Sequence, residues 1–199
     1  MIDKAFFTDN RARVALQCDG VVVLTAYASV QLTGDMAVPF HQESNFWYLT
    51  GIEESDWQLV ITPQKSWLIA PDVSEIHRVF DGGLSFDEAQ RISGVDEVVD
   101  TKEGKELLVT LAAKYKTAYS IDRHPHQKYF SFTPNPAPAK LWRSLTRRFH
   151  TVHDIRRLLS TLRAIKQPVE VDAIRQAVDL TVEAFLTIKP RLSQLTHEN

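Results

Sequence analysis

At 199 residues the chain is long enough for one full domain with a substantial core and some extra. Its formal net charge of -2 carries no overall footprint of a polyanion binder, so nucleic acid is not expected as a partner. A single cysteine, Cys18, excludes an intramolecular disulfide, and no apolar run is long enough for a signal peptide or a membrane span, so a cytoplasmic protein without a membrane partner is expected.

Residues 3–17 alternate charge with Phe6, Phe7, Val14 and Leu16, which predicts a first helix lying on a sheet and ended by Asp19 and Gly20. Val21 to Tyr27 is apolar on both faces and rich in β-branched residues, the composition of a central strand covered on both sides. Gln42 to Asn45 reads as a polar loop that feeds a short buried strand over Phe46 to Leu49, closed by a turn at Thr50 and Gly51. Trp57–Thr62 and Ser66–Ala70, each stopped by a proline, predict a hairpin around Gln64 and Lys65. Ser85 followed three residues later by Glu88 is a capping-box arrangement for a short helix that stops at Gly94. Val95–Val99 then reads as a strand, Lys102–Lys116 as a helix with Leu107, Leu108 and Leu111 on one face, and Thr117–Ile121 as a strand. This alternation predicts an α/β domain, a mixed, mostly central β-sheet flanked by helices on both faces, with Val22, Leu24, Tyr48, Leu59, Ile61, Leu68 and Ile121 in its core.

Asp122 to Pro138 carries four prolines and no helical period, so it is expected to be a loop, after which Ala139–Phe149 resumes helical spacing. The character changes at Asp154, where one helix is followed by a restart at Pro168, a residue suited to a first helical position. Val171, Ile174, Val178, Phe185 and Ile188 continue at helical spacing. Residues 1–153 are therefore assigned to the α/β domain and 154–199 to C-terminal helices.

The chemistry-bearing residues outside these patterns are sparse. His124 with His126 and His150 with His153 are the close histidine pairs, but a metal site needs three or four converging ligands, so they read as solvated or capping groups with Asp154 as an N-cap. Cys18 reads as a small residue near a helix end, Asp81-Gly82-Gly83 as a turn, and Arg156, Arg157, Arg163, Lys166 and Arg175 as a solvated helical face. No residue of the chain is assigned as catalytic or metal-ligating.

Three stretches carry a resemblance. The run Pro39-Phe40-His41-Gln42-Glu43-Ser44-Asn45-Phe46-Trp47-Tyr48-Leu49-Thr50-Gly51 resembles the signature of the creatinase/prolidase N-terminal domain, the non-catalytic front half of Xaa-Pro aminopeptidases and Xaa-Pro dipeptidases. Leu162 to Ala177 is similar to that family's Leu-Arg-x-Ile-Lys junction, and Val79 to Ala89 is a weaker match to its Trp-x-Gly-Arg-Arg segment. The resemblance implies a parent hydrolase that removes an N-terminal residue preceding proline, using two divalent metals, usually manganese, in a "pita-bread" domain beyond the junction. The present chain is then expected to end about one helix into that domain and to be inactive alone, with proline-containing peptides as substrates of the longer protein and a homo-oligomer as its state. The resemblance also gives two substrate-access residues. Phe80 matches an aromatic that reaches the mouth of an active site, although Gly83 and Leu84 replace the usual arginines. His41 stands where arginine is usual and lacks the guanidinium fork. A dipeptidase front domain, a creatinase, and a creatinase-fold binding module without metal ligands are the alternatives.

Overall fold

The computed structural model describes residues 2–34, 36–74, 82–122 and 133–194. The chain divides into two compact units, one of Asp3–Thr161 and one of Leu162–Asn199 with the two N-terminal residues.

The first unit is built on one six-stranded sheet. In chain order it contains α1 (Lys4–Ala15), β1 (Val21–Thr25), α2 (Ser44–Thr50), β2 (Gln58–Ile61), β3 (Ser66–Ile69), α3 (Phe86–Ser93), β4 (Glu97–Val99), α4 (Thr101–Lys114), β5 (Thr117–Ser120), α5 (Ala137–Thr146) and β6 (Thr151–Asp154). The strand order is β4-β3-β2-β1-β5-β6. Strand β1 pairs antiparallel with β2, Val22 opposite Ile61, and parallel with β5, Val21 opposite Ala118. Strands β2 and β3 form the expected hairpin, while β4 and β6 add in parallel at the two edges.

Side-chain alternation sends successive residues of each strand to opposite faces. Val21, Val23, Val60 and Ile69 pack with Leu108 and Leu111 of α4 and with Leu141 and Leu145 of α5. Val22, Leu24, Leu59 and Leu68 point the other way and are equally buried, on the side where α1, α2 and α3 pack together. Each such side chain contributes about 1.5–3 kcal/mol by leaving water, and β1 carries no polar residue before Thr25. All seven expected core residues are buried.

The helix ends follow local chemistry. Asp3 accepts from the N–H groups of Ala5 and Phe6 to start α1. Ser85 and Glu88 form the expected capping box of α3, which ends on Gly94 at φ 64°. Asp100 and Glu103 do the same for α4. Between these helices the buried Arg11 of α1 donates to the carbonyls of Leu49, Ser93 and Gly94, at the C-terminal ends of α2 and α3, and Asn10 donates to Tyr48 at 3.1 Å.

Two expectations are corrected. Phe46–Leu49 is not a strand but lies within α2, because Glu43 caps its first turn and Gly51, at φ 69°, closes its last. Thr151–Asp154, where only capping groups and an N-cap at Asp154 are expected, forms the edge strand β6, zipped to β5 from Thr117 opposite Thr151 to Ser120 opposite Asp154. Helix α6 (Arg156–Ala164) begins just beyond, where Asp154 accepts from the Arg156 N–H at 2.9 Å.

Within the second unit, α7 (Pro168–Ile188) has Pro168 in its first turn and is followed by a 3₁₀ helix over Lys189–Gln194. Glu170 reaches back to the Gln167 N–H at 2.9 Å. Its apolar residues include Leu180 and Phe185, each 70% exposed.

Candidate functional site

The described site residue from the sequence, His41, is exposed and sits at the carboxyl edge of the sheet, where the chain leaves β1 and returns to α2. Phe80 lies outside the described residues, as do His124 and His126. The site is therefore built from His41 outward.

A double latch fixes the segment that bears His41. The Gln42 side chain accepts from the N–H of Tyr27 at 3.1 Å and of Glu43 at 2.8 Å, and donates to the carbonyls of Ile52 at 3.1 Å and Glu54 at 2.9 Å. One amide thus ties the exit of β1 to both ends of α2. Across the opening, Asn135 pairs with the backbone of Ala28 in both directions, donating to its carbonyl at 2.7 Å and accepting from its N–H at 3.1 Å. Asn135 also accepts from the Ala137 N–H at 3.1 Å, which anchors the start of α5 to the same point.

Between these anchors the chain makes a small hairpin finger. The Val38 N–H donates to Val30 at 2.8 Å and the Leu32 N–H to Met36 at 2.7 Å, with Gln31 bridged to Ala37. Leu32 and Met36, which flank its turn, are open to solvent, 57% and 59% exposed. Backbone anchored at both ends with apolar side chains outside is a contact surface rather than a core element.

Behind the finger, the buried Glu43 carboxylate accepts from the Phe46 N–H at 2.7 Å and from Asn45 at 2.9 Å. Burial, aided by this negative charge, raises the Tyr27 phenol above its ordinary value. The cavity beside Glu43, lined by Thr25, Ser120, Ile121 and Leu141, measures about 10 Å³, room for a single water at most. The buried acid is a helix cap, and the arrangement offers positioned backbone and apolar contact rather than a general acid paired with a base. Among the described residues no three His, Cys, Asp or Glu side chains stand together as a metal site would require.

The remaining sequence candidates lie elsewhere. His153 is on β6 with its ring centroid 5.6 Å from that of Tyr119, and His150 precedes β6 with its ring beside the Thr151 hydroxyl at 3.2 Å. Cys18 is buried, and burial foremost raises its thiol to about 11, which removes it as a nucleophile. Arg156 is not simply solvated, since it pairs with Asp154 at 2.6 Å.

The roles of Gln42, Asn135 and Arg11 went unread in the sequence. Arg11 did leave a signal: it stands four residues after Phe7 and three before Val14, inside the buried stripe of α1. Besides local bonds to Glu43 and Ala137, Gln42 and Asn135 bond to the distant backbone of Tyr27 and Ala28, for which no local pattern exists.

Comparison with known proteins places these features in context. The family model described as "Aminopeptidase P, N-terminal domain" matches residues 7–119. Human Xaa-Pro aminopeptidase 3 is 29% identical over 178 residues, covering 84% of this chain and 34% of that protein. Xaa-Pro aminopeptidase of Haemophilus influenzae is 24% identical over 200 residues, covering 95% of this chain and 44% of that one. The chain thus spans well under half the length of these relatives. Among solved structures, Escherichia coli aminopeptidase P with the inhibitor Pro-Leu superposes with a TM-score of 0.73 at 22% identity, over 92% of this chain and 44% of that one. Proline aminopeptidase P II from Yersinia pestis gives 0.70 at 19%, over 88% and 42%.

Proposed function

Because the chain belongs to the aminopeptidase P N-terminal domain family, we propose that it is the non-catalytic front domain of a metal-dependent Xaa-Pro aminopeptidase, a hydrolase that removes an N-terminal residue preceding proline. In this reading the domain supports self-association and governs which proline-containing peptides reach the catalytic centre, while the peptide bond is broken elsewhere. The observation that carries it is the family match across residues 7–119. Residence in the cytoplasm belongs to the same proposal; no helix among the described residues is long and apolar enough to cross a membrane.

The two divalent cations of such an enzyme, manganese by expectation, do not fit the residues present, since no sufficient ligand group occurs among the described ones. No step of hydrolysis is therefore assigned to this chain. What its side chains supply is access control. The finger and His41 offer apolar and imidazole surface, and Phe80 an aromatic wall that packs on a proline ring but cannot pair with a free carboxylate.

The test is made in a longer protein that carries this domain together with a catalytic centre. Phe80→Ala and His41→Ala are compared with wild type by kcat/KM on an Xaa-Pro dipeptide and on a longer Xaa-Pro peptide. The ratio between the two peptides is expected to shift by about tenfold, the scale of one lost apolar contact in the substrate path. An equal loss on both, or none on either, removes these residues from that path. The chain alone, incubated with manganese and a fluorogenic Xaa-Pro peptide, is expected to give no turnover above buffer; turnover proportional to protein would place a hydrolytic site within the 199 residues.

A further inference from the structure

Charge is segregated along this chain. From Val14 to Gln64 there are six acids and no lysine or arginine, whereas from Arg123 to His153 there are six lysines and arginines and no acid. The first stretch supplies β1, α2 and β2, and the second supplies α5 and most of β6.

The sheet carries Glu53, Glu54 and Asp56 of the first stretch and Arg143, Arg147 and Arg148 of the second to opposite edges, while Asp19, just before β1, stays at the basic edge and accepts from Tyr119. Strands β5 and β6 run parallel to β1, so the turns that enter them lie at the edge where β1 begins. Lys114 and Lys116 stand before β5, and Arg147 and Arg148 before β6. The turns are joined by the N–H groups of His150 and Thr151, which donate to the Lys116 carbonyl at 3.0 and 3.2 Å. All four cations are exposed, as is Arg143 one turn back on α5. Lys114 lies over the Tyr115 ring and Arg148 donates to Ser144, yet none of the five meets a carboxylate among the described residues.

At the other edge, where β1 ends and β2 begins, Glu53, Glu54 and Asp56 are exposed. This turn is held in place: the Asp56 N–H donates to the Tyr27 carbonyl at 3.0 Å, and Trp47 Nε1 donates to Glu53 at 3.2 Å. No cation among the described residues pairs with these acids.

Cations at helix C-termini offset the macrodipole, which accounts for Lys114 and Arg147 taken singly. It does not account for five exposed cations without an ion pair among the described residues, nor for an acidic turn without one on the far edge. We propose that the face formed by Lys114, Lys116, Arg143, Arg147 and Arg148 docks on the Glu53, Glu54 and Asp56 turn of a second copy of this chain. The two surfaces differ and lie at opposite edges of one sheet, so the contact is heterologous and propagates into a ring or a chain of copies. Exposed charges act within a Debye length of about 8 Å at physiological salt, so the contact tightens as salt is lowered. This assignment specifies the surface for the self-association proposed above and rests on that reading.

Sedimentation velocity at low and high salt tests it with three proteins: wild type, the double variant Arg143→Glu with Arg147→Glu, and Glu54→Lys. Wild type is expected to associate at low salt and to dissociate at high salt. Each variant alone is expected to bind itself about tenfold more weakly or worse, and an equimolar mixture of the two to recover association, because each then offers the charge the other lacks. Recovery in the mixture also shows that both variants are folded. Association that ignores salt and both substitutions overturns this surface while leaving self-association standing. A wild type that stays monomeric at low salt overturns both. Retention of single-stranded DNA or phosphatidylglycerol vesicles by such a monomer, lost in the arginine double variant, reassigns the basic face to another anion.

Discussion

The guanidinium of Arg11 donates to the Leu49 carbonyl at 2.7 Å, fastening the last turn of α2 to α1. The same side chain reaches Ser93 at 2.8 Å and Gly94 at 2.7 Å, so one buried cation satisfies the terminal carbonyls of two helices. Carbonyls at helix ends have no partner within the helix and carry partial negative charge, which lets a guanidinium be buried here without direct contact to a carboxylate. Burial still lowers its pKa to about 10, against the opposing pull of Asp96.

Replacing Arg11 by Met removes these donors and leaves buried carbonyls unpaired, so a loss of about 3 kcal/mol is expected. Urea unfolding should show a lower midpoint at an unchanged slope. Arg11→Lys should fall between, because one ammonium cannot span the carbonyls of both helices. A midpoint within error of wild type for Met would show that water replaces the guanidinium.

Gly51→Ala is expected to cost about 2–4 kcal/mol. The residue has φ 69°, and an added Cβ would stand 2.4 Å from Cε2 of the buried Phe7. Thermal unfolding reads the loss. Gly34→Ala, where nothing lies within 4 Å, should be close to neutral and serves as the comparison.

Gln42→Glu keeps the shape of the latch but turns two donors into acceptors facing the carbonyls of Ile52 and Glu54. A loss of about 2 kcal/mol is expected. Hydrogen exchange should quicken at the Tyr27 and Glu43 amides, and unchanged protection there would mean that the finger is held by Asn135 alone.

Tyr119 donates to the Asp19 carboxylate, and this bond, with burial second, raises the phenol from the ordinary 10.0 to about 12. Between those values the folded protein keeps a proton that the unfolded chain has lost, so stability from this pair is present below pH 10 and falls as pH rises toward 12. An ultraviolet titration of the phenolates should show more than one late tyrosine in wild type, since Tyr27 is raised as well, and one fewer in Asp19→Asn. A titration unchanged in that variant would assign the Tyr119 shift to burial.

What the sequence revealed follows how local each cause is. Strand β1, the β2–β3 hairpin and the capping box of α3 were legible because their signals lie within a few neighbouring residues. Helix α2 was misread because four bulky residues in a row have no period, and its cap is a glutamate, Glu43, read as loop. Strand β6 was missed because Asp154 both ends it and starts the next helix, so the capping signal masked a strand of four residues. Around His41, the Gln42 and Asn135 latches join positions brought together only by the finished sheet.

The pairing of β1 with β5 has a kinetic side. Strand β1 has the hairpin of β2 and β3 on one flank within reach of its own sequence, but its other flank waits for β5, with Val21 meeting Ala118 across most of the intervening chain. Closing so long a loop costs entropy before any contact rewards it, so such pairings come late and slow folding. During synthesis, β1 to β4 can assemble while the backbone groups of β1 that face β5 remain bare. Until β5 arrives, the most apolar strand of the sheet is an open edge, and that interval is when the emerging chain is most exposed to pairing with a neighbour.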